Sequence, residues 1–332
     1  MEARVNTKLK LLYIIDILQK HSDEENPINA AEICEKLASA GISAERKSVY
    51  NDIDALITFG YDIIKTRVPK FGYFLATRDF ELPEIYLLAD AVRSADFITP
   101  KKTRELIGKL DSLLSDSQAR KREKGIYMNS RRKCKNEEIY YNIDKISTAI
   151  SHEVKVSLKY CRHILAEGKT ITYSEKQLTV SPYAMLWEND HYYVVCNNEK
   201  YDNLMHLRLD RIKAVNVLDA PFRHFSEVCG YTDHFDVADY TEKTFNMFGG
   251  ESAKVEFRCN KEKLEQIIDR FSDEIFIFKV TDSTFNFTTQ AMISEGLISW
   301  ILQFGTDVEV VAPAGLRDEV KNRIRKIGEL YN

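Results

Sequence analysis

The sequence carries a short run of basic and amide side chains, "RKSVYN", from Arg46 to Asn51. Arginine and lysine donate hydrogen bonds to phosphates and to guanine O6 and N7, and asparagine pairs with the edge of adenine. Further cations follow around Pro69 and Gly72, in a turn where they can contact a phosphate backbone without reading bases. The run therefore predicts binding to double-stranded DNA. The residues expected to contact DNA are Arg46, Lys47, Ser48, Tyr50, Asn51, Lys65, Arg67 and Lys70.

A second group of polar side chains lies in "MHLRLDRI", near residue 210. If this segment is one strand, its side chains alternate between two faces, and His206, Arg208 and Asp210 share a face. Neighbouring cations are stabilised by an anion, which a guanidinium can hold with two hydrogen bonds. The alternative is an ion pair within the domain, with Asp210 or Glu188 as the partner. The residues expected to bind an effector are Tyr160, Tyr183, His206, Arg208 and Arg211.

The elements that position the first group are three helices and a hairpin. Asn29, with Glu32 three residues later, predicts a capping box at the second helix, and Ser43 is expected to cap the third. In that third helix Val49 and Ile53 lie on one apolar face. Two helices joined by a tight turn and followed by a hairpin have the plan of a winged helix-turn-helix, whose second helix enters the major groove. The other interpretation is a solvated charged face in a helical bundle.

The rest of the chain predicts a multidomain α+β protein. Helical periodicity continues to about residue 150, then changes to the period of two that is typical of strands, and the last third alternates strands and helices. Short strands at this spacing fit a small barrel or sandwich. The expected domains are a winged helix-turn-helix (1–80), a helical linker (81–150), a small sensor barrel (151–220) and an α+β domain (245–332).

Composition narrows the class of protein. The 332 residues are 44% hydrophobic and 30% charged, which predicts two or three globular domains. The sequence has no apolar run of membrane-spanning length and no signal-peptide core near its first residue, so we expect a cytoplasmic protein without membrane contact. Six scattered cysteines predict reduced thiols, not disulfides or a zinc ribbon. No hydrolase, metalloprotease or dinucleotide fingerprint is present, so we expect no enzyme, no metal and no cofactor.

Three segments resemble known families. "ERKSVYNDIDALITFGYDI" resembles the recognition helix of DeoR-like winged-helix regulators, usually D/E-R-K-T-I-Y-R-D-I-x-x-L, although Asn51 stands where many members have Arg. "SPYAMLWENDHYYVVCNNEKYDNLMHLRLDRI" resembles the WYL domain, and its naming Trp-Tyr-Leu falls on Tyr192, Tyr193 and Val194. "GLISWILQFGTDVEVVAPAGLRDEV" resembles the C-terminal extension found with WYL domains. Large aromatics such as Trp187 and Tyr193 are expected in the barrel core.

The resemblance implies a bacterial-type, ligand-responsive transcriptional regulator. In such a protein an SH3-like WYL barrel binds an anionic effector or a single-stranded nucleic acid and controls the winged helix. A homodimer is expected, because helix-turn-helix proteins usually read two half-sites. The alternative is a nucleic-acid-binding accessory protein whose barrel grips single-stranded RNA or DNA and modulates another machine.

Overall fold

The structure is a computed structural model that describes residues 9–123, 133–166 and 171–331. The chain divides into two compact units, Met1–Lys135 and Asn136–Asn332. Within the described ranges no helix is both long enough and apolar enough to cross a membrane. The mixed α+β, multidomain architecture predicted from the sequence is confirmed.

The first unit contains six helices and one two-stranded sheet among its described residues. In chain order they are α1 (Lys10–His21), α2 (Ala30–Ser39), α3 (Arg46–Phe59), β1 (Ile63–Thr66), β2 (Gly72–Leu75), α4 (Leu82–Ser94), α5 (Pro100–Asp111) and α6 (Asp116–Glu123). The predicted capping box is confirmed: Asn29 Oδ1 accepts from the amides of Ala31 and Glu32, and Glu32 Oε2 accepts from the Asn29 amide at 2.7 Å. The predicted Ser43 cap is wrong, because α3 starts later, with Glu45 as an N-cap that makes no side-chain bond.

One face of each of the first three helices is buried in a common core. Its fully buried members include Ile14 and Leu18 of α1, Ile33 of α2, and Val49 and Ile53 of α3. The strands β1 and β2 pair as an antiparallel hairpin whose inner residues join the same core. Burial of this apolar face orients α3, so that its opposite face is left to solvent.

A single arginine joins the hairpin to helices on both sides of it. Arg78, just after β2, donates from Nη1 to the carbonyl oxygens of Gln19 (2.9 Å) and Leu113 (3.2 Å), and from Nη2 to the carbonyl of Ser22 (2.7 Å). Gln19 and Ser22 lie at the end of α1, and Leu113 follows α5. The three contacts fix the end of α1, the hairpin exit and the end of α5 against one another.

Over residues 136–166 and 171–331, the second unit contains two sheets. In chain order its helices and strands are α7 (Ile139–Ser151), β3 (Val154–Leu165), β4 (Ile171–Glu188), β5 (His191–Asn197), β6 (Leu204–Arg208), β7 (Ile212–Pro221), α8 (Val237–Lys243), β8 (Glu251–Asn260), α9 (Leu264–Phe271), β9 (Phe276–Phe278), β10 (Thr284–Ile293), α10 (Glu295–Leu302), β11 (Val308–Ala312) and α11 (Ala314–Leu330). The helix α7 packs on the first sheet, where Asn142 Nδ2 donates to the Ile212 carbonyl at 2.9 Å.

The first sheet has the strand order β6-β5-β4-β3-β7, with antiparallel neighbours. Between β6 and β7 the chain forms a single 3-10 turn, Leu209–Arg211. Among the described residues β6 does not pair with β7, so the sheet stays open and the closed barrel predicted from the sequence is not found.

The second sheet has the order β11-β8-β10-β9 and is entirely antiparallel. The succession β8-α9-β9-β10-α10-β11 with this order is a ferredoxin-like unit. One face of the sheet is covered by its helices through a core that includes Phe257, Phe287, Ile267, Ile301 and Leu316.

Candidate nucleic-acid interface and effector site

The outer face of α3 presents three polar side chains to solvent. Arg46, Lys47 and Asn51 are all exposed, and Tyr50 beside them is 38% exposed. They lie opposite the buried Val49 face of the same helix. The first two turns of α3 therefore offer cationic and amide donors at the surface, as the sequence predicts.

Ser48, which the sequence places among the DNA contacts, also joins α3 to α1. Lys10 is 8% exposed, and its ammonium donates to Ser48 Oγ at 2.5 Å and lies 2.7 Å from Asp52 Oδ2. Lys10 and Asp52 are positioning residues that sequence reasoning missed. The available signal was a lysine in the first turn of an amphipathic helix, which is too common a pattern to be informative.

The three cations of the hairpin have different surroundings. Arg67 is exposed at the turn, whereas Lys65 lies over the rings of Phe71 and Tyr73, with its Nζ 5.5 and 5.9 Å from their centroids. Lys70 forms an ion pair with Glu32 at 2.7 Å. Partial burial would raise the pKa of Glu32, but hydrogen bonds from Lys70 and from a backbone amide lower it below its ordinary value. Lys70 thus ties the hairpin to α2.

The hairpin and α3 form one continuous surface. The Tyr73 ring on β2 lies 6.2 Å from the Tyr50 ring on α3, and Lys65 lies over the same Tyr73 ring. The exposed cations of the helix and of the hairpin are therefore displayed on neighbouring elements of one rigid core. Chemically, the surface can donate hydrogen bonds to phosphates and to base edges.

At the second predicted site, the strand ends earlier than expected. The side-chain alternation predicted through Arg211 is wrong, because β6 ends at Arg208 and Arg211 lies in the 3-10 turn. This turn brings Asp210 back to Arg208, whose Nε and Nη2 donate to its two carboxylate oxygens at 3.1 and 2.8 Å. The Tyr160 hydroxyl accepts from the Arg208 amide at 3.4 Å. The ion pair left open as an alternative is present.

His206 and Tyr183 use their polar atoms elsewhere. His206 Nε2 shares a 2.6 Å hydrogen bond with the hydroxyl of Tyr240 in α8, and burial lowers the pKa of His206 to about 4. The imidazole is therefore neutral at neutral pH and adds no positive charge beside Arg208. Tyr183 is buried, and its hydroxyl donates to the Arg223 carbonyl at 2.7 Å.

The residues that do come together are Tyr160 and Arg208, with one neighbour that the sequence analysis missed. The guanidinium of Arg162 lies 5.5 Å from the Tyr160 ring centroid, and its side chain is exposed. On the adjacent strand Tyr193 pairs with Arg208. The expectation that Trp187 is core is wrong, since it is 49% exposed at the end of β4.

Among the described residues, no group of three or more His, Cys, Asp or Glu side chains is placed to hold a metal ion. None of the six cysteines is in a disulfide, and Cys161, Cys196 and Cys259 are buried. Burial raises the pKa of the Cys196 thiol to about 12, so that it stays protonated at neutral pH.

Comparison with protein families identifies two domains in the second unit. Residues 141–217 match the WYL domain, and residues 251–328 match the WCX domain. The first match covers α7 and most of the β6-β5-β4-β3-β7 sheet, and the second covers the ferredoxin-like unit. The WYL domain and the C-terminal extension predicted from the sequence are confirmed.

Two solved structures are similar to this chain at low sequence identity. Proteasome accessory factor B/C (PafBC) of Arthrobacter aurescens is 15% identical, with 96% of this chain and 46% of that chain covered and a TM-score of 0.27. A CRISPR Cas-related protein is 13% identical, with 100% and 88% covered and a TM-score of 0.35. The chain thus spans about half the length of PafBC. No curated protein matches it significantly.

Proposed function

We propose that the chain is a DNA-binding transcriptional regulator in which α1 to α3 and the β1-β2 hairpin act as a winged helix-turn-helix. One observation carries the proposal: Arg46, Lys47 and Asn51 are exposed on the face of α3 opposite its buried stripe, and the Tyr50–Tyr73 contact joins that face to the hairpin. An α-helix with such a face fits the major groove of B-DNA.

The two elements have different roles in this proposal. Arg46, Lys47 and Asn51 contact base edges and the nearest phosphates from the first turns of α3. Lys65 and Arg67 contact the flanking backbone, where their charge adds affinity for every sequence alike. Lys10 and Asp52 contribute indirectly, by holding α3 at a fixed angle to α1.

We further propose that the regulator acts as a homodimer. Leu87 is 72% exposed and Leu88 is 39% exposed on α4, whereas Ile85 of the same helix is buried within the unit. Two adjacent exposed leucines leave apolar surface in contact with water, and binding of a second copy would bury it. A symmetric dimer would place two copies of α3 for half-sites about 34 Å apart.

The WYL domain is the proposed sensor, with an anionic effector or a short single-stranded nucleic acid as its ligand. The Arg208–Asp210 pair beside Tyr160 and Arg162 supports this role, because an anion can replace the Asp210 carboxylate on the guanidinium. The effector changes DNA binding only to the extent that its affinity differs between two states of the protein. Arg208→Ala and Arg211→Ala are therefore expected to keep DNA binding and lose the response, tested by thermal-shift screening of nucleotides and oligonucleotides.

The test of DNA binding starts with selection of operator sequences from genomic DNA by the purified protein. The double variant Arg46→Ala/Lys47→Ala is then compared with wild type on the selected duplex by fluorescence anisotropy. Loss of a base contact costs about 1–3 kcal/mol and relaxes specificity at one base pair. Wing variants at Lys65 and Arg67 are expected to weaken binding to all sequences and to flatten its salt dependence.

The matched control removes two cations from a different surface. Lys321 and Arg325 are exposed one helical turn apart on α11 of the WCX domain, so Lys321→Ala/Arg325→Ala removes the same charge. Equal losses for the two double variants would show a non-specific charge effect and refute the assignment of α3. Binding to single strands without any duplex binding would favour the accessory-protein alternative.

A further inference from the structure

The WCX domain has a solvent-facing side of its sheet, which we call the outer sheet face. Residues directly opposite each other on paired strands share a face, so the register assigns its members. One row across the four strands consists of Glu309, Arg258, Asn286 and Phe278. The next row consists of Ala312, Glu256, Thr288 and Phe276. Lys254 and Gln290 begin a third row.

The most unusual feature of this face is a pair of aromatic rings on the edge strand β9, of which Phe276 is exposed and Phe278 half-buried. Phe276 is 71% exposed, and its ring centroid lies 5.7 Å from that of Phe278 with an interplanar angle of 24°. Ile277, between them, points to the opposite side, where it pairs with the buried Phe287. The two rings therefore do not complete the core, and the exposed Phe276 ring, backed by Phe278, is available to a flat ligand.

The outer sheet face carries more positive than negative charge. Its cations are Lys254, Arg258, Lys279 and, beside Glu309, Arg317, and its carboxylates are Glu256 and Glu309. The Lys279 ammonium lies 5.4 Å from the Phe278 ring centroid and is 64% exposed. Lys254 is exposed.

A shallow groove of about 330 Å³ lies between the aromatic pair and the cations. It is lined by Lys254, Glu256, Phe276, Phe278, Thr288 and Ala312. Its members come from four strands of one rigid sheet, so the groove needs no rearrangement to form. Aromatic walls, hydroxyl groups and flanking lysines are the surroundings that proteins give to unstacked nucleobases.

We propose that the outer sheet face of the WCX domain binds single-stranded nucleic acid, with bases stacked on Phe276 and Phe278 and the phosphate backbone held by Lys254 and Lys279. Four-stranded sheets with exposed aromatics bind single strands in this way, because every base has a π-face to stack. The net positive charge of the face complements the phosphates. The site is separate from both the α3 surface and the Arg208 site, and the proposal does not depend on either.

Glu256 gives the site a base preference. Its Oε1 accepts from Asn286 Nδ2 at 2.7 Å and lies 3.3 Å from Lys279 Nζ, while among the described residues no donor is assigned to Oε2. The hydrogen bond from Asn286 and the nearby Lys279 lower the pKa of Glu256, so the carboxylate is ionised at neutral pH. A carboxylate oxygen accepts from the exocyclic amino group of cytosine or adenine, which thymine lacks. Cytosine and adenine strands are therefore expected to bind more tightly than thymine strands.

The experiment measures binding of the full chain to fluorescein-labelled single strands of about 12 nucleotides, oligo(dC) and oligo(dT), at low salt by anisotropy. Phe276→Leu/Phe278→Leu keeps the apolar surface but removes the rings, and is expected to weaken oligo(dC) binding roughly tenfold or more. Phe276→Tyr/Phe278→Tyr is expected to retain it. The control Tyr331→Ala removes an aromatic that is 88% exposed after α11 and is expected to change nothing.

Three further variants separate the possible outcomes. Arg46→Ala/Lys47→Ala is expected to lose duplex binding and keep oligo(dC) binding, so failure of the α3 proposal and failure of this one are distinguishable. Glu256→Gln is expected to abolish the preference for oligo(dC) over oligo(dT), and a preserved preference removes Glu256 from the site. Unchanged oligo(dC) binding by the leucine variant in an Arg208→Ala background, which removes the proposed WYL site, overturns the proposal. A fall in solution mass in a Phe276→Asp/Phe278→Asp variant, with single-strand affinity unchanged, would show that the rings contact a second copy instead.

Discussion

The partly buried His206 predicts a specific loss of stability in mild acid. In the folded chain burial lowers its pKa to about 4, from an ordinary value of 6.5. Between these two values the unfolded chain binds a proton that the folded chain does not, so the free energy of unfolding falls as pH falls. The contribution of His206 is complete above pH 6.5 and is lost progressively toward pH 4. At 1.36 kcal/mol per pH unit, the full loss is about 3 kcal/mol, of which about 2 kcal/mol is reached by about pH 5.

The sequence provides a convenient assay for this prediction. Its two tryptophans, Trp187 and Trp300, both lie in the second unit together with His206, so fluorescence during urea unfolding follows that unit. Wild type and His206→Gln are compared at about pH 7.5 and about pH 5, because glutamine can bond to the Tyr240 hydroxyl but does not titrate in this range. Carboxylates contribute equally to both proteins, so the difference between them isolates the histidine.

The expected result is that wild type loses about 2 kcal/mol more than His206→Gln between the two pH values. Equal losses, or a histidine resonance that titrates near 6.5 in the folded protein, would show that the His206–Tyr240 contact does not exclude water. Because burial also raises the pKa of the Tyr240 hydroxyl, that group remains protonated throughout and does not complicate the comparison.

Three other predictions concern the first unit. Gly72→Ala is expected to destabilise the hairpin by about 1–3 kcal/mol in urea unfolding, because a Cβ atom there would lie 2.8 Å from the Ile28 carbonyl oxygen; an unchanged midpoint would contradict the close approach. Lys10→Met is expected to cost about 2 kcal/mol by leaving the Asp52 carboxylate unpaired, and Lys10→Met/Asp52→Leu to recover much of the loss; a double variant no better than the single one would show that the ion pair is not the cause. If Leu87 contacts a second copy, Leu87→Glu will lower the mass measured by light scattering from near twice 38.4 kDa to 38.4 kDa, whereas an unaltered mass would place the dimer contact elsewhere.

The helices and hairpin of the first unit could be predicted because their signals are local. The capping box joins residues three apart, and Gly60 ends α3 with a φ of 121°, a value that favours glycine. The Ser43 cap failed for a reason equally local: Glu45 already has the extended backbone of an N-cap, so α3 starts at Arg46 without a serine. Residue type identifies candidate N-cap residues, but it does not decide which of two neighbouring candidates caps the helix.

The candidate sites were less predictable because their contacts are not local or do not follow one period. His206 and Tyr240 are 34 residues apart, and Lys10 and Ser48 are 38 apart, so no sequence spacing connects them. Near Arg208 the period of two ends within the motif itself, where a 3-10 turn folds Asp210 back onto the guanidinium. The outer sheet face escaped sequence analysis because only the pairing of β9 with β10 shows which side Phe276 is on.

The Arg78 contacts have a mechanical consequence. One guanidinium holds the end of α1, the exit of the hairpin and the end of α5 at three points, so these parts resist bending relative to one another. A displacement of α5 is therefore passed on to α1, the helix that packs against α3, with little change of structure between them. In the proposed dimer, such stiffness would make the distance between the two copies of α3 the quantity that an effector changes, while the shape of each α3 surface stays constant.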